Sequence, residues 1–166
     1  MKRQPRRILV IHRRSAYTAT VSEGRNRRIA RLVREGHPVG REMLRAHEEH
    51  LESVQAVRSA LARLGLHARF LHRTDGLHVR DDDLVVVIGG DGTVLHVSHL
   101  VGDAPVLAFN SAPHASCGFL TVATCDRAEA YLSAALSDRL PATFLQRMKV
   151  EVDGRTAPDR VLHDCL

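Results

Sequence analysis

The 166-residue sequence contains few aromatic side chains. They make up 4% of it, and tryptophan is absent. Proteins that hold single-stranded nucleic acid stack its bases on aromatic rings, so this shortage argues against nucleic acid as a partner. Long apolar runs are also missing: the first, residues 8–11, is far shorter than the roughly 20 residues that cross a bilayer. The sequence therefore predicts a globular protein with no membrane span, in the cytoplasm.

Cysteine is scarce, and acidic residues are scarce at the start of the chain. The cysteines are three, an odd number whose spacing matches no zinc-binding pattern, so we expect free thiols in a reducing compartment. Residues 1–41, the basic segment, contain twelve Lys and Arg against only Glu23 and Glu35, within a net charge of +5. Such a segment suits polyanions such as nucleotide phosphates, polyphosphate or nucleic acid, or it forms a solvated surface. Both interpretations stay open here.

The apolar pattern alternates between strands and helices. Unbroken aliphatic runs predict buried strands at residues 7–12, 84–88 and 105–109, and an alternating run predicts another at 67–71. Helical spacing predicts helices at 27–34, 44–64, 93–100 and 126–136; Gly65 would end the second and Asp126 would cap the last. Residues 13–38 otherwise read as a long loop. This order predicts an α/β fold, an open, mostly parallel Rossmann-like sheet with helices on both faces.

The pattern changes at Pro141. Residues 144–152 and 160–166 read as antiparallel strands around a turn at Asp153-Gly154. We therefore expect two units: residues 1–140 as an α/β nucleotide-phosphate-binding domain, and residues 141–166 as the first strands of a truncated β-rich domain. Strands without their sheet expose apolar faces, so self-association into a homo-oligomer is expected.

The segment most indicative of chemistry is the glycine loop, residues 89–93, Gly-Gly-Asp-Gly-Thr, directly after the most apolar strand. Glycines allow positive φ and close approach to a ligand, and bare N–H groups at a helix start can hold phosphate oxygens. Asp91 would accept a hydroxyl proton or hold a metal; a plain Asp-Gly turn is the alternative. The loop is neither a Walker motif nor a G-x-G-x-x-G fingerprint.

The glycine loop resembles the signature shared by NAD kinases, diacylglycerol and sphingosine kinases, and 6-phosphofructokinases. A second segment, Val106 to Asn110 followed by Gly118-Phe119-Leu120-Thr121, resembles the NAD kinase family in particular. The spacing between Asn110 and Gly118 is longer than usual, which is similar to the mitochondrial-type branch. A third match, residues 161–165, stands where the family has Asn-Glu or Asn-Asp; here His163 replaces Asn and Asp164 keeps the acid.

The resemblance implies phosphoryl transfer from ATP to the 2′-hydroxyl of the adenosine ribose of NAD, giving NADP, with Mg²⁺ bridging donor oxygens. Asp91 would orient the ribose and accept its proton. Phe119 would line the adenine pocket with Asn110 beside it, and Asp164 would bond the ribose. The other positions implied for nucleotide binding are Gly89, Gly90, Gly92, Thr93, Leu95, Ser111 and His163.

The match covers nearly the whole chain but only about the first half of a typical family member. A non-catalytic nucleotide-binding or regulatory module therefore stays open, as does a lipid kinase catalytic domain. NAD versus NADH, and ATP versus polyphosphate, also stay open. Residues 81–83, Asp-Asp-Asp, read as a solvated lead-in to a strand rather than a magnesium site.

Overall fold

A five-stranded parallel sheet forms the body of the protein, in a computed structural model that describes residues 5, 7–73, 75–76 and 78–162. Its strands lie in the order β2-β1-β3-β4-β5 and all pair in parallel. They are β1 (Ile8–His12), β2 (Ala68–His72), β3 (Leu84–Gly89), β4 (Val106–Asn110) and β5 (Ala123–Thr124). The helices are α1 (Arg27–Arg34), α2 (Pro38–Arg63), α3 (Asp91–Ser98) and α4 (Ala128–Leu136). The predicted α/β fold class is confirmed.

The core lies on both faces of the sheet. All six residues of β3 are buried, as its unbroken aliphatic sequence predicts for a central parallel strand. Alternate residues of the strands face α2 and α4 on one side, around Val57 and Leu132, and α3 on the other, around Val94 and Val97. Each such side chain stabilises the fold by about 1.5–3 kcal/mol when fully buried. This packing fixes the carboxyl ends of the strands, where the functional residues lie.

The segment between β1 and α2 is more ordered than the predicted loop. It contains a π-helical segment, Thr18–Ser22, and the predicted helix α1. α2 begins at Pro38, six residues before the predicted start, with the His37 side chain accepting a hydrogen bond from the Val39 N–H. Gly40 allows close contact with α1, since a Cβ atom there would lie 2.7 Å from the Val33 Cα. At the other end, Gly65 has a φ of 66° and ends the helix as predicted.

Two aspartates do not have the roles predicted for them. Asp126 lies in a 3₁₀ turn, Cys125–Arg127, before α4 and makes no helix-capping hydrogen bond. Asp83 is fully buried rather than solvated. Its carboxylate accepts hydrogen bonds from Arg7 at 2.9 and 2.5 Å, and the side-chain hydrogen bond from Arg7 lowers the Asp83 pKa against the opposing effect of burial. This pair fixes the start of β3 beside β1.

A separate antiparallel pair, β6 (Met148–Val152) and β7 (Arg155–Val161), forms the C-terminal hairpin. Its turn is the predicted Asp153-Gly154, where both residues have positive φ. β7 starts five residues before the predicted position, because the turn is tight. Among the residues described, none of the helices combines the length and the apolar character needed to cross a bilayer.

Candidate functional site

The strand order changes direction between β1 and β3, because the chain runs from β1 outward to β2 and then returns to the far side of β1. In open parallel sheets, ligands bind outside the carboxyl ends of the strands at such a switch point. A cavity of about 830 Å³ lies there. Five of the residues predicted for the site line it, namely Gly90, Asp91, Gly92, Thr93 and Asn110.

The structure gives a different reason for glycine at each of the three positions in the glycine loop. None of them has a positive φ, so the expectation that they serve an unusual backbone conformation is wrong. Gly89 gives room to Thr93, whose Cβ would lie 2.6 Å from an added methyl group; Gly90 gives room to Ser116, whose Oγ would lie 2.7 Å away. An added Cβ at Gly92 meets nothing within 4 Å. Gly92 therefore leaves the cavity open without being required by the packing.

Asp91 is the first residue of α3, and its carboxylate bonds to the chain that follows β4. Oδ2 accepts a hydrogen bond from the Phe119 N–H at 3.0 Å, and Oδ1 accepts one from the Leu120 N–H at 2.7 Å. Charged acceptors form hydrogen bonds roughly twice as strong as neutral ones. Asp91 thus holds residues 110–121, the asparagine loop, against the glycine loop.

The asparagine loop is also closed by its own polar groups. The buried Asn110 donates from Nδ2 to the Ser116 carbonyl at 2.8 Å and accepts from the Ala112 N–H at 3.1 Å. Gly118 has a φ of 64°, and a Cβ atom there would overlap the Asn110 amide and lie 2.6 Å from Thr121 Oγ1. A glycine is therefore required at 118 for both reasons.

His50 connects α2 to the same loop. Its Nδ1 lies 2.9 Å from the Oγ of Ser111, and both residues are buried. The Ser53 hydroxyl donates to the Ser111 carbonyl at 3.2 Å. Burial, then the nearby charge of Arg13, lowers the His50 pKa to about 4. His50 is thus a neutral imidazole at pH 7, as a buried hydrogen-bonding partner of a hydroxyl requires.

The opposite wall of the cavity carries two arginines, Arg13 after β1 and Arg73 after β2. Each follows a histidine, and the parallel register pairs His12 with His72. The imidazole ring centroids of these histidines are 4.3 Å apart. The pKa of Arg13 lies below its ordinary value, first because of burial and then because of the like charge of Arg73. Two cationic groups thus lie at one edge of the cavity.

Several residues implied by the resemblance do not line the cavity. Gly89 and Ser111 are buried beneath it, Leu95 is half-buried on α3, and the Phe119 side chain is 90% exposed. His163 and Asp164 lie outside the described residues. The roles of all six in nucleotide binding stay predictions.

Sequence reasoning missed Arg13, Arg73 and His50. The repeated dipeptide His-Arg at the ends of two predicted strands was a signal that could have found the arginines. No comparable signal marks His50. Within the described chain, no group of three or more His, Cys, Asp or Glu side chains is arranged to hold a metal ion.

Comparison with known proteins gives a consistent result. Residues 8–140 match the family described as the ATP-NAD kinase N-terminal domain. The chain is 31% identical over 134 residues to a probable NADH kinase of Oryza sativa subsp. japonica, covering 70% of this chain and 41% of that protein. It is 29% identical over 124 residues to an NADH kinase of Arabidopsis thaliana, covering 64% and 39%.

A bacterial relative shows the same relation. The chain is 39% identical over 89 residues to an NAD kinase of Geobacter sp. (strain M21), covering 51% of this chain and 30% of that protein. The chain spans about two fifths of the length of the plant relatives it matches.

Proposed function

The chain belongs to the NAD kinase family, and we propose that it provides the phosphate-binding and proton-accepting part of a kinase that converts NAD to NADP. The γ-phosphoryl group of ATP would pass to the 2′-hydroxyl of the adenosine ribose. The observation that carries this proposal is the cavity at the switch point, lined by the glycine loop and by Asp91. Because relatives are named both NAD kinase and NADH kinase, both forms of the dinucleotide are candidate acceptors.

The glycine loop suits phosphate oxygens. The first N–H groups of a helix lack partners within the helix, and the helix dipole places positive charge at this end. α3 begins at Asp91, on the floor of the cavity, and the open space beside Gly92 lets a phosphate approach the backbone. Positioning and neutralisation of charge account for most of the catalysis of phosphoryl transfer.

Asp91 is the candidate proton acceptor. Its two N–H partners fix the carboxylate, and each oxygen keeps a further lone pair that can face the cavity. In the reaction, the ribose oxygen forms a bond to the γ-phosphorus as the bond from that phosphorus to the bridging oxygen of ADP breaks. The hydroxyl proton passes to the Asp91 carboxylate, and ADP leaves.

Magnesium would neutralise the donor phosphates in this reaction. In phosphoryl-transfer sites Mg²⁺ is held by one or two carboxylates together with phosphate oxygens, rather than by an all-protein cage. The described residues fit that arrangement: Asp91 and Glu42 are the carboxylates that line the cavity.

Asp91→Asn tests the proposal in the full-length gene product. The change removes the proton acceptor, and general-base contributions are about 10²–10⁴-fold. It also places an amide N–H against one of the two backbone donors, which loosens the asparagine loop. We therefore expect kcat for NADP formation to fall by about 10²–10⁴-fold, with the dissociation constant for NAD changing far less. A coupled NADP assay and calorimetry measure the two quantities.

Asp138→Asn is the matched control, because Asp138 lies outside the cavity at a φ of 56°, a conformation that Asn also tolerates. It should leave kcat unchanged. Hydrogen exchange of residues 118–121 reports the loosening of the loop separately. A folded Asp91→Asn protein with full kcat would remove Asp91 from the chemistry. A full-length wild-type product that binds nucleotides but forms no NADP would instead identify a non-catalytic module.

Cytoplasmic location and self-association belong to the same proposal. The C-terminal hairpin has exposed apolar residues, Met148 at 49% and Val152 at 62%, which a second copy or a further domain would cover. Sedimentation across a concentration series distinguishes self-association from a monomer.

A further inference from the structure

The same dipeptide, His-Arg, ends two neighbouring strands. His12 and His72 are register partners in the parallel pair of β1 and β2, and the Arg73 N–H donates to the His12 carbonyl at 3.0 Å. Arg13 and Arg73 therefore leave adjacent strands, which lie about 4.8 Å apart in a sheet, at the same level. Both side chains line the cavity at the switch point.

Among the described residues, neither guanidinium group forms an ion pair that would compensate its charge. The Nε of Arg13 is buried and lacks a hydrogen-bond partner within the described part of the chain. An arginine stays protonated even when it is buried, so the nearby positive charges repel each other. This arrangement is unfavourable unless an anion lies between them.

The carboxylates of the cavity do not supply that anion. Asp91 is bonded to two backbone N–H groups of the asparagine loop, and Glu42 is exposed on α2. The charged group that acts on the Arg13 pKa is Arg73, and it acts in the lowering direction. A carboxylate close to Arg13 would raise that pKa instead.

The backbone that carries both arginines is held by neighbouring elements before a ligand arrives. After Arg13, the buried Ser15 bonds through Oγ to His47 Nδ1 at 2.7 Å and accepts the Thr18 N–H at 3.1 Å. The Arg73 carbonyl lies 2.8 Å from His96 Nε2 on α3. The chain just after Arg13 is thus bonded to α2, and the backbone of Arg73 to the helix that starts at the glycine loop, so less backbone freedom is lost on binding.

We propose that Arg13 and Arg73 form a second anion-binding subsite, which holds one end of a linear polyphosphate chain whose other end lies on the glycine loop. The chain is that of a nucleoside triphosphate or free inorganic polyphosphate. Guanidinium groups bind phosphate oxygens with paired N–H hydrogen bonds. The wall that carries the two arginines and the wall formed by the glycine loop face the same cavity. The inference rests on the proposed function, because it assigns the donor's position in that site.

The test is calorimetry on the 166-residue chain with sodium tripolyphosphate, ATP and NAD as separate ligands at low salt. Arg13→Gln should weaken binding of tripolyphosphate and ATP by about 10–100-fold, the usual loss for a hydrogen bond to a charged group. Arg73→Gln should weaken it less, because Arg73 is exposed. Arg13→Lys should recover part of the loss, since it restores the charge but not the paired geometry.

Arg14→Gln is the matched control: Arg14 is the next residue, it is exposed, and it pairs with Glu23 at 3.0 Å. It should change each affinity by less than about twofold, as expected for a surface ion pair. Weakening of both ATP and tripolyphosphate by Arg13→Gln supports a subsite that reads the phosphate chain alone. If tripolyphosphate does not bind the wild type and Arg13→Gln weakens ATP binding, the result supports the same subsite with a nucleoside triphosphate as its ligand.

Thermal unfolding gives a second readout. Without ligand, Arg13→Gln should not lower Tm, because it removes an uncompensated charge; with tripolyphosphate, the Tm of the wild type should rise more than that of the variant.

Gly92→Ala separates this inference from the proposed function. If it abolishes ATP binding while Arg13→Gln leaves the affinity unchanged, the subsite is wrong and the glycine loop stands. If neither variant changes the affinity for ATP or for tripolyphosphate, both proposals fail. The subsite would also be overturned if Arg13→Gln abolished only the binding of NAD, or only the binding of a single-stranded oligonucleotide.

Discussion

The two walls of the cavity are built in opposite ways. The wall after β3 and β4 consists of backbone and short polar side chains whose hydrogen bonds are satisfied within it: Asp91 holds the asparagine loop, and Asn110 closes that loop. The wall after β1 and β2 carries Arg13 and Arg73, charged side chains that form no ion pair with any residue the structure describes. The first wall is complete in the free protein, whereas the second requires an anion for its charges to be balanced.

The difference indicates which substitutions act on folding and which on binding. Groups whose partners are inside the protein stabilise the fold, so their replacement is felt in the free energy of unfolding. Groups without internal partners contribute little to folding, so their replacement is felt in ligand affinity. Three predictions test this division in the wall formed by the glycine and asparagine loops and in the helices that support it.

The largest effect should come from packing in the glycine loop. In Gly89→Ala the new methyl group would lie 2.6 Å from the Thr93 Cβ, so α3 must shift. We expect a loss of about 3 kcal/mol in the free energy of unfolding, the upper part of the range for an overpacked core. Urea denaturation measures it. Gly92→Ala is the matched control: its methyl group meets open space on a helix, and it should stabilise by up to about 1 kcal/mol. Equal losses in the two variants would contradict the assigned packing.

The second effect is a loss of stability at acidic pH, which we expect to originate at His50. Its pKa in the folded protein is about 4, below the ordinary 6.5, so the unfolded chain binds the proton first as pH falls. The free energy of unfolding should therefore drop by about 2 kcal/mol between pH 6.5 and pH 5, since one pKa unit corresponds to about 1.4 kcal/mol.

His50→Asn identifies the source of this slope. Asn keeps a hydrogen-bonding group near Ser111 but does not titrate, so the variant should show a smaller dependence on pH, with a residual slope from His12, whose pKa burial also lowers. His99→Asn, at an exposed position, should retain the slope of the wild type. If His50→Asn retained it too, the buried histidine would not be responsible.

The smallest effect concerns the far end of α3. Arg147 donates hydrogen bonds to the carbonyl of Ser98, the last residue of the helix, at 2.6 Å, and to those of Val101 and Gly102 beyond it, at 2.5 and 2.8 Å. A cation there is favourable for the helix dipole. Arg147→Met keeps the apolar stem and should cost about 1–2 kcal/mol in urea denaturation. Lys149→Met, which removes only an exposed pair with Glu151, should cost less than about 0.5 kcal/mol; an equal cost would refute the capping role.

Much of this architecture could be predicted from the sequence, for a physical reason. A strand buried on both faces needs an unbroken aliphatic run, as in residues 84–88, and a loop close to phosphates needs small residues, as in the glycine loop. The partners of Asp91 could not be predicted, because they are N–H groups 28 and 29 residues away whose position depends on the closed asparagine loop. The arginine pair depends on the register of β1 and β2, and His50 depends on how α2 packs. Such relations arise from tertiary structure, which local patterns do not determine.

α3 has only eight residues, too few to be stable as an isolated helix, and its two ends are held by charges of opposite sign. Asp91 stands at its positive end and Arg147 binds beyond its negative end, just before the C-terminal hairpin. The helix is about 12 Å long, at 1.5 Å per residue, and contains no glycine or proline after Gly92 at which it could bend. It is therefore a short, straight connection. It joins the carboxylate in the cavity to the segment that leads into the C-terminal hairpin, so the two regions are connected by one straight element.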